Sequence, residues 1–84
     1  MKKSEIILGH EYSNSDYPGL EHDKERRRKV VGMYMTVFEC PEFNDIYVTV
    51  IDTMNDGEVD KRYPKHAYDL LLKSFAKWAK TDVT

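Results

Sequence analysis

The 84-residue sequence predicts a small α+β domain: an antiparallel sheet of about four strands with one C-terminal amphipathic helix packed on one face. Three observations carry this expectation. Residues 30–39 and 46–53 are rich in β-branched and aromatic side chains and are separated by a short loop containing a proline. Asn55-Asp56-Gly57 marks a tight hairpin, because glycine supplies the positive φ and Asn or Asp tolerates it. Residues 65–80 then change to helical spacing.

Residues 5–12, EIILGHEY, read as an N-terminal strand. A flexible loop follows at about 13–20, dense in turn formers and closing on Pro18-Gly19. Residues 21–29 are almost wholly charged and form either a short exposed helix or the polar start of the next strand. They have no apolar face to support a helix. Residues 30–39 are the strongest strand. Strict alternation would put Val31, Met33, Met35 and Val37 on one face and Val30, Tyr34 and Phe38 on the other, so both faces are apolar. Gly32 within this strand marks a bulge or a side chain packing over it.

Residues 40–45, with Pro41, form the connecting loop, and 46–53 return as a strand. There Ile46, Val48 and Val50 alternate with Tyr47, Thr49 and Ile51. After the hairpin, residues 58–63 read as a short polar edge strand. Pro64 suits the first turn of a helix. Tyr68, Leu71, Leu72, Phe75, Trp78 and Ala79 then follow i, i+3, i+4 spacing, with Lys73, Lys77 and Lys80 opposite. Such a stripe is ordinarily core, since the sheet needs a cover.

The length allows one domain spanning residues 1–84. The single cysteine, Cys40, permits no intramolecular disulfide and fits a reducing compartment. Ile6, Ile7 and Leu8 form an apolar run too short for a signal peptide or a membrane span. The expectation is a cytoplasmic protein without membrane contact.

The chemistry-bearing residues are sparse. His10, His22 and His66 have no metal-ligand spacing, and with one cysteine they supply no zinc framework. Cys40 lies between Glu39 and Glu42, and acidic neighbours oppose a reactive thiolate. Gly9, Gly19, Gly32 and Gly57 are dispersed and form no phosphate loop. No nucleophile motif appears. The expectation is a non-catalytic protein with no cofactor and no metal.

Charge is what remains. Lys24, Arg26, Arg27, Arg28 and Lys29 form a basic run suited to phosphates, with Tyr34, Phe38 and Tyr47 as bases' stacking partners. Glu21, Asp23 and Glu25 dilute that run, and a net charge of −2 gives no basic surplus, so nucleic acid is the less favoured partner. Residues 38–60 carry seven acids and no Lys, Arg or His; residues 61–80 carry six Lys or Arg against Asp69. These blocks either neutralise one another in the fold or leave an acidic hairpin surface for a basic partner.

The leading expectation is therefore a protein-binding module, an inhibitor or modulator. Its contact surface would be Glu39, Glu42, Asp45, Asp56, Glu58 and Asp60, facing a partner that has a basic nucleic-acid-binding groove. In size and charge segregation, though in no particular motif, the chain is similar to phage- and plasmid-encoded inhibitors of the anti-CRISPR and anti-restriction types. The alternative is a small nucleic-acid-binding module using residues 24–29 and the sheet aromatics. The two apolar faces of residues 30–37 also invite homodimerisation.

Overall fold

In the computed structural model, the β-branched stretches flanking residues 36–45 pair with each other as antiparallel strands. The structure describes residues 1–20, 25–37, 39, 44–54 and 66–84. Strands β1 (Glu11–Ser13), β2 (Arg27–Met35), β3 (Ile46–Met54), β4 (Tyr68–Leu71) and β5 (Thr81–Asp82) form one antiparallel sheet in the order β4-β3-β2-β1-β5. Helix α1 (Leu72–Trp78) links the edge strands β4 and β5 across one face. A short 3-10 turn, Lys3–Glu5, precedes the sheet.

The α+β class and the single packed helix are as the sequence predicts; the sheet has five described strands rather than about four. The expected strand at 58–63 and the hairpin turn at 55–57 lie outside the described residues. Two elements differ from expectation. The helix is shorter than 65–80, because Tyr68–Leu71 pair with Tyr47–Val50 as a strand. Tyr68 and Leu70 pack toward the core while Asp69 faces away, so ladder bonds and burial together override the helical spacing. The N-terminal strand shrinks to Glu11–Ser13, because the chain turns at Gly9, whose φ is +90°.

The face assignment along β2 also changes. Val30 pairs with Val50, but Gly32 pairs with Thr49, so Val31 is an extra residue in the ladder. Residues directly opposite share a face. The bulge therefore puts Val30, Met33 and Met35 on the helix side, and Tyr34 on the open side beside Tyr47. Gly32 permits a close approach here: a Cβ would lie 3.2 Å from the Thr49 side chain, which would have to give by a few tenths of an ångström.

The core lies between the sheet and α1. Val30, Val48, Val50, Tyr12, Phe75 and Ala79 are fully or almost fully buried, joined by Ile6, Leu72 and Ala76. Each large apolar side chain contributes about 1.5–3 kcal/mol by leaving water. Buried Tyr12 keeps its hydroxyl satisfied: it donates to the Glu5 carbonyl at 2.8 Å and accepts from the Ile7 N–H at 2.7 Å. Its ring meets Phe75 edge-on at 5.7 Å.

Candidate functional site

Strand pairing distributes the basic run rather than presenting it as one ridge. Arg26 and Lys29 are exposed. Arg27 turns to the open side, where its Nε donates to Glu25 at 2.5 Å. Arg28 turns to the helix side. Its Nε donates to Asp52 at 3.1 Å, and its guanidinium lies 4.3 Å from the Trp78 ring centroid and 5.8 Å from that of Tyr68. Tyr68 donates its hydroxyl to the same Asp52 oxygen at 2.5 Å. Burial and that carboxylate push the Tyr68 phenol up to about 12. Lys24 lies outside the described residues.

Glu25 is only 2% exposed, yet ionised and satisfied. It accepts from Ser13 Oγ at 3.0 Å, from the Gly19 N–H at 2.8 Å and from Arg27. Burial alone raises a carboxyl pKa. The Gly19 N–H, Arg27 and Ser13 outweigh it and hold Glu25 below the ordinary carboxylate value. This clamp ties the turn-rich loop after β1 to the start of β2. Spacing offered one cue to it: residues two apart on a strand share a face, so Glu25 and Arg27 are neighbours.

Of the six acids expected to form a surface, Glu42, Asp56, Glu58 and Asp60 lie outside the described residues. Glu39 is exposed and Asp45 is half-buried. The Asp45 backbone pairs with Thr36, whose N–H donates to the Asp45 carbonyl at 2.9 Å. The residue borders a groove of about 240 Å³ on the helix side. Met35, Ile46 and Leu72 give this groove its apolar part, and Lys3 and Lys73 share its rim with Asp45. Asp45 of the acidic block and Lys73 of the lysine-rich block thus border the same groove, while Asp52 bonds Arg28 near the other end of the sheet.

The end of the β2–β3 arm is unusually apolar for exposed structure. Met35 is 56% exposed, Val37 78% and Ile46 39%. On the open side, Tyr34 and Tyr47 stack at 5.4 Å. Tyr34 donates its hydroxyl to Asp69 at 2.9 Å, and Thr49 donates to the other Asp69 oxygen at 2.7 Å. This network ties β2, β3 and β4 together; no sequence motif announced it.

The histidines do not converge. His10 Nδ1 lies 2.6 Å from Asp82 across the β1–β5 edge, a pairing 72 residues apart in sequence. His66 is exposed, and His22 lies outside the described residues, as does Cys40. Among the described residues, no group of three or more His, Cys, Asp or Glu side chains could hold a metal ion, and no helix is long and apolar enough to cross a membrane. Compared with known proteins, the chain matches no protein-family model, no curated protein and no solved structure, so its sheet, its groove and its charge layout carry the functional reading by themselves.

Proposed function

We propose that the chain is a non-catalytic protein-binding module that modulates its partner through the end of the β2–β3 arm. One observation carries this reading. Met35 and Ile46 expose apolar side chains at a groove that Asp45 also borders, and exposed Val37 follows two residues after Met35, with Glu39 two further on. Apolar surface gathered in one place marks binding sites more often than apolar residues scattered singly. An apolar side chain of the partner fills the groove. Basic groups of the partner are drawn by Glu39 and Asp45; Glu42, Asp56, Glu58 and Asp60 belong to the same acidic block in sequence and lie outside the described residues. A partner with a basic nucleic-acid-binding groove fits this chemistry, and the module then acts as an inhibitor by occupying it.

The test is capture by the immobilised chain from a lysate of the encoding organism, beside Val37→Lys, Ile46→Lys and Glu39→Lys variants. A discrete protein retained by wild type and lost from all three variants supports the reading. A captured set that is the same for wild type and variants refutes it.

A further inference from the structure

Strand β2 is longer than the neighbour on its outer side. Ladder pairing with β1 ends at Lys29, and the Val30 N–H and carbonyl are taken by His10 and Gly9. Among the described residues nothing pairs with the outer edge beyond Val30. The phase of that edge is set by the inner one. Thr36 donates to the Asp45 carbonyl, so alternation turns the N–H and carbonyl groups of Met33 and Met35 outward.

Protein sheets ordinarily guard such an edge with charge, proline or brevity. The sheet's nominal edges follow that pattern. β4 has four residues and carries Asp69, and β5 has two and carries Asp82. The outer edge of β2 does not: residues 30–38 contain no charged residue and no proline. Its side chains are exposed on both faces, Val31 (41%) and Tyr34 (44%) on one and Met33 (40%) and Met35 (56%) on the other.

We infer that this edge pairs antiparallel with the same segment of a second copy of the chain, about a two-fold axis, joining two sheets into one. Three features select this occupant. A strand added at the edge flanks the exposed side chains on both faces at once, whereas a partner docked on one face covers one set. An isologous contact brings a segment against itself, so it tolerates no net charge, and this segment has none. Methionine side chains adapt to each other across such a pair. The contact uses the backbone edge of β2 and flanks Met35, which also lines the arm-end groove, while Val37, Ile46 and Glu39 lie outside it.

The test is sedimentation velocity of the full chain over two decades of concentration. Wild type is expected to shift from monomer toward dimer as concentration rises. Met33→Lys/Met35→Lys and Met33→Glu/Met35→Glu each stay monomeric, because like charges then oppose across the axis. An equimolar mixture of the two variants recovers the dimer, because unlike charges then meet. Both positions are exposed, and circular dichroism checks that the variants keep the fold. Wild type supplies a second readout: hydrogen exchange at the Met33 and Met35 amides slows as concentration rises. A wild type that is monomeric throughout overturns the inference, as does a dimer that survives either double variant or a mixture that fails to recover it. Ile46→Lys, which disables the groove, is expected to leave dimerisation intact, so the two proposals fail separately.

Discussion

Arg28 sits in a run that looks like a phosphate grip, yet its surroundings make it a structural residue. Its planar guanidinium lies over Trp78 and near Tyr68 while bonding Asp52, a combination lysine does not reproduce. Arg28→Ala is expected to cost about 1–3 kcal/mol in urea unfolding, from the lost cation–π contact and the lost charge-assisted bond to Asp52. Arg28→Lys should recover only part of it, with Trp78 fluorescence shifting in both variants. Equal stability of wild type and Arg28→Ala would show that the contact is incidental. One carboxyl, Glu25, and one phenol, Tyr68, set opposite pH limits. Glu25 has a folded pKa below its ordinary 4.5, so its contribution is present above that value and is lost as pH falls through the folded pKa. Tyr68 has a folded pKa of about 12 against an ordinary 10.0, so its contribution is present below 10.0 and is lost as pH rises toward about 12. Melting temperature against pH should therefore fall at both ends. Glu25→Gln should flatten the acid limb alone and Tyr68→Phe the alkaline limb alone. None of this was legible in the run itself, because a charge's role depends on which strand face it takes, and the ladder irregularities at Arg27/Arg28 and at Val31 set those faces.

Sequence patterning located both β2 and β3, but alternation coincides with burial only in β3, because the extra residue Val31 resets the faces of β2 after Val30. Val30, Val48 and Val50 are fully buried, and Tyr47, Thr49 and Ile51 alternate with them. The stretch from Tyr68 to Leu71 was harder. Four residues with apolar side chains at 68, 70 and 71 satisfy a helical spacing and a strand alternation equally well, and pairing with β3 decides between them. β5 left no local signal at all. It has two residues, and its partner β1 is some seventy residues away, held by the His10–Asp82 contact and by the Lys80 N–H donating to the Ser13 carbonyl. The helix face itself was readable, and it carries a direct prediction. Leu72 is 5% exposed and belongs to the core, whereas Leu71 faces the open side and is only half-buried. Leu72→Ala should cost about 2–4 kcal/mol and Leu71→Ala clearly less. Chemical denaturation of the two variants checks the order. A reversed order would mean that the open face, not the helix side, holds the molecule together.

At the scale of the whole molecule, charge sorting along the chain was plain in the sequence, but its meaning depended on folding. Asp52 joins Arg28 near one end of the sheet, and Asp45 shares a groove with Lys3 and Lys73 at the other, while Glu39 stays exposed. Folding therefore uses part of the acidic block and leaves Glu39 exposed. Folding also limits nucleic-acid binding. Each phosphate neutralised by a cation lowers the logarithm of the binding constant by about 0.7–0.9 per decade of salt. Arg27 and Arg28 are held by Glu25 and Asp52, so the described part of the basic run offers Arg26 and Lys29. With Lys24 added, three cations give a slope of at most about 2.7. A grip that weak, beside an acidic arm and a net charge of −2, should produce no gel shift with single- or double-stranded probes at physiological ionic strength. At low salt any residual binding should show that shallow slope and vanish in Arg26→Ala/Lys29→Ala. A slope well above three would mean that Arg27 and Arg28 leave their carboxylates to reach phosphate. Binding would then loosen the Glu25 clamp, and amide exchange in the loop after β1 should speed up on adding the probe. That pair of results would move the nucleic-acid reading ahead of the protein-binding one.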